Sequence, residues 1–272
     1  MPSINNSINN SINITHILRL CVKRIQRARV ILLGSLPNRC LLCQQRIDQM
    51  DYEQLFANQV LTGVCQVCLA ASLYQHEVCL GCGREIALLQ AYCGKCLKHT
   101  PNVVVAPCSY HQGLGPLIAA IKYQQQCAPL NAITQQLACR IALLIKHGII
   151  RRPQVLIPVP LHPNRLRQRG FNQAWLIAKQ LSRLTGIPLD DSCLTRVVDT
   201  APQTGLAGKQ RRKNCHGAFQ LQAEIRYQRV ALIDDVVTTG TTVDEISRLF
   251  SAQFVHVQTW CLARAEAPGL LD

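Results

Sequence analysis

From about residue 101 onward, short continuous apolar runs alternate with stretches whose apolar residues recur every three to four positions. The run VLIPVP at 155–160 has the length and β-branched content of a buried strand, and FNQAWLIAKQLSRLTG at 171–186 has helical spacing closed by Gly186. LTRVVD at 194–199 predicts a further strand, followed by a loop rich in Gly, Lys and Arg to Asn214 and then the segment GAFQL. The strand RVALID at 229–234, a helix over about 242–250 and a final strand FVHVQTWCLA at 254–263 complete the pattern. Strands alternating with helices predict a parallel sheet covered on both faces, whose ligands bind beyond the carboxyl ends of the strands.

Upstream the pattern changes. Residues 1–14, MPSINNSINNSINI, repeat a Ser-Ile-Asn unit without charge or useful periodicity and are assigned no function. The organisation expected is a disordered or helical basic arm at 1–35, a cysteine-rich segment at 36–100 and an α/β domain at 101–272. A chain of 272 residues, 48% of them apolar, is long enough for one α/β domain with its own core plus something smaller. No stretch approaches the roughly 18 to 20 consecutive apolar residues of a membrane span, so no membrane insertion is expected. The segment RARVILLGSLPNRC places basic residues before an apolar run, but that run is too short and lacks a small-x-small cleavage site, which argues against secretion.

Charge narrows the partners. The net charge is +14; residues 1–40 carry six bases and no acid, 41–100 four bases against five acids, and 101–272 nineteen against ten. The positive field therefore comes from the arm and the α/β domain, and it suits phosphates, whether free, on a sugar or in a nucleic-acid backbone. Scattered Lys and Arg solvate a surface, but RLRQR at 165–169 and KQRRK at 209–213 lie within longer motifs.

Eight of the fifteen cysteines form four C-x-x-C pairs: Cys40 and Cys43, Cys65 and Cys68, Cys79 and Cys82, Cys93 and Cys96. A tight turn aims two thiolates at one point, and Gly81, Gly83 and Gly94 lie in or beside such turns. One pair alone can be redox-active; four within 57 residues favour two structural zinc sites of four cysteines each, a double zinc ribbon. Sequential pairing, the first four and then the last four, is favoured, and cross-braced pairing stays open. Neither site offers an open coordination position or a neighbouring acid/base pair, so catalytic zinc is not expected. The other cysteines, among them Cys127, Cys139 and Cys261, are read as buried inert thiols, which fits a reducing, cytoplasmic setting.

The stretch RVALIDDVVTTGTT raises the sharpest question, because two acids, Asp234 and Asp235, stand between an apolar run and a loop of Thr and Gly. The expected strand ends at the acids, and the loop turns into a helix whose first amides have no intrahelical partner. A phosphate there accepts from several amides and the Thr hydroxyls, and Gly240 lets the backbone come close. An acidic strand end with an ordinary Thr N-cap is the plainer reading. Two carboxylates beside a phosphate need something to pair with them; the hydroxyls of a sugar, with Mg²⁺ nearby, resolve the conflict. Neither a Walker A nor a dinucleotide fingerprint occurs.

Four apolar residues, two acids and a Thr/Gly loop resemble the motif that binds 5-phosphoribosyl-1-pyrophosphate (PRPP) in type I phosphoribosyltransferases. LIPVPLHPNRLRQRGFNQAWLIAKQL and PQTGLAGKQRRKNCHGAF, together with the cysteine pairs, extend the resemblance to the ComF/GntX family over about residues 35–265. The resemblance implies a phosphoribosyltransferase-like parallel sheet flanked by helices behind the double zinc ribbon. It implies PRPP binding with Mg²⁺ by Val236, Val237, Thr238, Thr239, Gly240, Thr241 and Thr242, with Asp234 and Asp235 on the ribose hydroxyls. It further implies a pyrophosphate loop after Pro158 and Val159 with Arg165 and Arg169, while Arg167 also suits the surface. Gln203, Leu206, Arg211 and Asn214 fit the spacing of the family's mobile loop, in which Arg211 would close over pyrophosphate. Gly170, Phe171, Asn172 and Gln173 form a step whose role the sequence does not yield. Any hood over the acceptor must come from 101–150 or the zinc segment, with Tyr110, Lys122 and Tyr123 as candidates. The function implied is a role in natural competence and the use of external DNA, with single-stranded DNA and competence proteins as partners and a homodimer as an option. The alternative is an active phosphoribosyltransferase for a nucleobase.

Overall fold

The computed structural model describes residues 38–47, 63–199, 216–222 and 225–266. A cysteine-rich module comes first: helix α1 (Gln66–Ser72), the two-residue strands β1 (Glu77–Val78) and β2 (Glu85–Ile86), paired antiparallel, and the short helix α2 (Gly94–Leu97). There follow β3 (Val103–Val105), α3 (Gly115–Gln124), α4 (Leu130–Lys146), β4 (Val155–Pro158), α5 (Pro163–Arg169) and α6 (Gln173–Thr185). The chain ends in β5 (Leu194–Arg196), β6 (Phe219–Leu221), β7 (Arg229–Val237), α7 (Thr241–Ser251) and β8 (His256–Arg264).

Four strands form one parallel sheet in the order β3-β8-β7-β4. Beyond β4 the Leu156 amide donates to the Pro188 carbonyl at 2.9 Å and the Asp190 amide to the Leu156 carbonyl at 3.0 Å, a short further parallel pairing. The period of two along β7 divides the core. Ala231 and Ile233 join Leu156, Trp260 and the apolar stripes of α3, α4 and α6 on one face. Val230 and Leu232 join Val155, Ile157, Phe219 and the α7 residues Ile246 and Phe250 on the other. Helices thus cover both faces, the α/β arrangement that the phosphoribosyltransferase resemblance implies.

Several boundaries differ from expectation. β7 does not stop at the acids but runs to Val237, because Val236 and Val237 keep their register with Ala263 and Arg264. The strand read from LTRVVD shortens to Leu194–Arg196 and pairs antiparallel with β6 in a separate two-stranded sheet. Phe219 and Leu194 there cover the α7 face, and burying that side takes precedence over extending the parallel sheet. Cys139 is exposed rather than buried, since Leu137, Ile141 and Leu144 form the inward stripe of α4. Cys108, Cys193 and Cys261 are buried as expected, and Cys127 is half-buried.

Apolar packing continues across residue 100. Cys40, Ile47, Val64, Leu69 and Leu80 of the module belong to the same cluster as Leu117, Ile133 and Trp260. Arg264 at the end of β8 donates to the Leu80 carbonyl at 3.0 Å and also to the Gly81 carbonyl, and Glu266 accepts from Ser109 at 2.7 Å and from Tyr74. Among the described residues no helix is long and apolar enough to cross a membrane.

Candidate functional site

At the carboxyl ends of β4 and β7 lies a cavity of about 580 Å³. Asp234 through Val243 form one wall, Val159, Pro160, Leu161, Arg165, Gln168 and Arg169 a second, and Tyr110, Ile118, Ala119, Lys122 and Tyr123 a third. The first wall depends on Gly240, which sits at φ +74° between the exposed Thr238 and Thr239 and the start of α7. A Cβ on Gly240 would meet no atom closer than 3.9 Å, so its left-handed backbone, not lack of space, demands glycine. Gly240→Ala is therefore expected to cost about 1–2 kcal/mol in a urea unfolding titration. Across this residue the hydroxyls of Thr239 and Thr241 share a hydrogen bond at 2.8 Å, and the Asp244 amide donates to the Gly240 carbonyl at 2.8 Å. The first turn of α7 thus begins where the loop faces the cavity, with its amides and dipole turned to the side that suits an anion.

Asp234 and Asp235 follow each other on β7, and strand alternation sends their side chains to opposite sides. Asp235 is the more buried and meets Lys122 of α3, whose Nζ lies 3.0 Å from Oδ2 and 3.2 Å from Oδ1. Burial together with the charge of Asp235 pushes Asp234 up to about 7, against the opposing pull of Lys122. Burial by itself would lower Lys122, but the charges of Asp235 and Asp234 reverse that and hold it above the ordinary lysine value.

The basic wall is fastened from behind. His162 caps α5 by accepting the Asn164 amide at 3.3 Å, and Arg169 closes the helix. Asn172 accepts the Ala174 amide at 3.0 Å, capping α6, and donates to the Val159 carbonyl at 3.1 Å. Gln173, only 2% exposed, accepts from Arg169 at 2.9 Å and donates to the Lys122 carbonyl at 3.3 Å. The Phe171-to-Gln173 step is a bracket joining loop, arginine and α3. Arg167 donates to Asn164 and does not line the cavity.

The eight paired cysteines gather into two groups, Cys40, Cys43, Cys65 and Cys68, then Cys79, Cys82, Cys93 and Cys96, with the sulfurs of each group within 4.8 Å of one another. This is the sequential pairing. Cys43 and Cys65 lie 3.8 Å apart and Cys82 and Cys93 3.7 Å apart, close to the roughly 3.8 Å between sulfurs bound tetrahedrally at about 2.3 Å from zinc. Backbone amides already solvate the sulfurs: the Cys68 amide donates to Cys65 at 3.4 Å and the Cys93 amide to Cys79 at 3.1 Å. At Cys93 the Cys96 amide leads in holding the thiol down at about 6; at Cys40 several amides outweigh burial with the same result. Each group can hold one metal ion in a closed tetrahedron.

Comparison with known proteins decides the family. Competence protein F from Haemophilus influenzae is 37% identical over 211 residues, 75% of this chain and 91% of that protein. The DNA utilization protein YhgH of Escherichia coli is 30% identical over 233 residues, 85% of this chain and 98% of that protein. This chain belongs to the ComF family. No family model matches it. Among solved structures, a purine phosphoribosyltransferase from Pyrococcus horikoshii covers 48% of this chain and 73% of its own, at 17% identity and a TM-score of 0.30. The assignment to the ComF family rests on the sequence relatives.

Within this ComF-family chain, the structure brings Asp234, Asp235, Val236 to Thr242, Val159, Arg165 and Arg169 to one cavity, while Pro158 stands behind them in β4, paired with Ile233. Gln203, Leu206, Arg211 and Asn214 lie outside the described residues, as do residues 1–35. Tyr110, Lys122 and Tyr123, the hood candidates, all line the cavity. Sequence reasoning missed Arg196, which is buried 5.3 Å from the Phe219 ring and also lines the cavity. It sits on the three-residue strand β5 with no motif around it to mark it.

Proposed function

We propose that this ComF-family protein binds PRPP with Mg²⁺ in the cavity at the end of β7 and acts on the cytoplasmic side in natural competence and the use of external DNA. The observation that carries the proposal is the meeting of two acids, a Thr/Gly loop at a helix start and two arginines around one cavity. The names of the relatives, competence protein F and DNA utilization protein, support the biological half. In this reading the amides and hydroxyls of Thr238 to Thr242 hold the 5-phosphate, and the acids accept from the ribose hydroxyls. Arg165 and Arg169, together with Arg211, take pyrophosphate through their planar forks. Mg²⁺, when bound with PRPP, supplies charge neutralisation of the pyrophosphate. The two cysteine groups carry structural zinc, and single-stranded DNA and competence proteins are the partners.

A transformation assay tests this reading. A competence protein F-deficient Haemophilus influenzae strain is expected to regain transformants when it carries this chain and not when it carries the Asp234→Asn/Asp235→Asn form; equal recovery with both would refute it.

The pH dependence follows from the acids. With Asp234 pushed up to about 7, most of it is protonated at pH 6 and ionised at pH 8, so PRPP affinity is expected to climb across that interval. The ligand's own phosphate titrates near 6 as well, so the measurement is the difference between wild type and Asp234→Asn. A step of equal size in both proteins would remove Asp234 from the site.

A second reading, a catalytically active phosphoribosyltransferase, is favoured by the wall of Tyr110, Ile118, Ala119 and Tyr123, which gives a flat acceptor an apolar surface beside the acids. Electrostatic support from the acids would then stabilise the oxocarbenium-like ribose. Pyrophosphate release from PRPP and Mg²⁺ with one nucleobase, and not with the others, would establish it.

A further inference from the structure

Two adjacent carboxylates repel a phosphate ester unless a cation stands with them. The structure supplies one in Lys122, which the sequence offered only as a candidate for the hood. Its Nζ lies 3.0 Å from Asp235 Oδ2 and donates to Oδ1 at 3.2 Å, and the Val236 amide donates to the same Oδ1 at 2.8 Å. Both oxygens of Asp235 are therefore engaged. Asp234 accepts a local hydrogen bond from the Asp235 amide at 2.8 Å, and as a residue it is the more exposed of the two.

Strand geometry accounts for this asymmetry. The alternation that places Val230 and Leu232 on the α7 face and Ala231 and Ile233 on the α3 face continues into the acids, so Asp235 meets the helix that carries Lys122. Lys122 is itself held in place, because buried Gln173 ties its carbonyl to the Arg169 side chain. The side chain of Lys122 is 30% exposed and that of Asp235 10%, so water screens the pair only in part.

We propose that Lys122 is a binding-site residue that neutralises Asp235 with the site filled as well as empty, leaving Asp234 alone to accept the ribose hydroxyls. The proposal rests on the ribose-phosphate reading above and goes further by giving the two acids different tasks. The motif treats them as twins. Here Asp234 is the ligand-facing acid, and Asp235 serves as the counter-ion that sets Lys122 at the edge of the phosphate site. Asp234, Asp235 and Lys122 together then present one net negative charge to the ligand instead of the two of the bare acids, and this is what admits a sugar phosphate beside them.

Calorimetry of PRPP and of ribose 5-phosphate against the zinc-loaded full chain with Mg²⁺ tests the assignment. Lys122→Met is expected to weaken both ligands on the order of 10- to 100-fold, since it leaves Asp235 uncompensated, while Lys122→Arg stays within a few-fold of wild type. Lys122→Met/Asp235→Asn, which removes both charges, is expected to recover most of the affinity. Asp235→Asn alone is expected to weaken binding far less than Asp234→Asn. The double variant also covers the case in which Lys122→Met fails to fold, because it buries no unpaired charge. Wild type that binds PRPP while Lys122→Met binds it equally or more tightly overturns the inference alone, and so does equal damage from the two asparagine variants. Wild type that binds no PRPP overturns the ribose-phosphate reading and this inference with it.

Discussion

Stripping the metal with a chelator strong enough to compete for a four-cysteine zinc site is expected to abolish the cooperative thermal transition of the whole chain, not of the module alone. Binding at a structural zinc site contributes about 10 kcal/mol or more, comparable to the roughly 5–15 kcal/mol that separates a folded domain from its unfolded state. Confinement of the loss to the module would require a core of its own, and apart from the small cluster of Cys79, Cys93 and Cys96 with Ile86 and Tyr92, the buried residues of the module mostly pack into the α/β core. Cys40, Val64, Leu69 and Leu80 share a cluster with α3, α4 and the sheet. The second site is braced to the end of β8 through Arg264, whose register partner Val237 leads into the Thr/Gly loop. Circular dichroism melting with and without chelator, with zinc counted by atomic absorption, makes the comparison. Single Cys→Ser changes extend it: Cys68→Ser, in the site whose Cys40 belongs to the shared cluster, should depress the melting temperature at least as far as Cys82→Ser. A melting curve indifferent to chelator would mean that the sulfurs do not hold a structural metal.

The second large effect concerns the acids. Asp234→Asn/Asp235→Asn is expected to remove PRPP binding by at least roughly 100-fold while leaving the fold intact. A hydrogen bond to a charged group is worth about 1.5–3 kcal/mol, so losing the carboxylate charge proposed to meet the ribose hydroxyls accounts for much of that factor. Stability should move little near pH 8, because relieving the burial of Asp234 beside the Asp235 charge offsets the loss of the ion pair between Asp235 and Lys122. The sign follows from linkage: a carboxyl raised to about 7 in the folded state subtracts stability as pH climbs from its unfolded value toward 7. A variant that melts no lower than wild type and yet does not bind would mark these residues as functional. Retained PRPP affinity in a folded variant would remove them from the site.

Much of this was legible in the sequence, for identifiable reasons. Uniformly apolar strands such as 230–233 can only be buried on both faces, which implies a parallel sheet under helices, and four C-x-x-C pairs in 57 residues imply two metal-binding groups. The extension of β7 past the acids was not legible, because Asp has poor strand propensity and register with β8 decides the matter. Neither was the antiparallel pairing of β5 with β6: a three-residue strand looks the same in either sheet until the helix face it covers is known. The roles of Asn172 and Gln173 stayed hidden because each acts through backbone carbonyls, at Val159 and Lys122, that are distant in sequence. Lys122 itself lies 113 residues from the acid it pairs with, a proximity that only the packing of α3 against the sheet creates.

Calorimetric titration of the zinc-loaded protein with PRPP, in the presence and absence of Mg²⁺, tests the central claim most directly. The account expects saturable binding of one PRPP per chain, tighter with Mg²⁺ and displaced by ribose 5-phosphate. Heats no larger than dilution at millimolar PRPP with Mg²⁺, from protein shown to be folded, would contradict it.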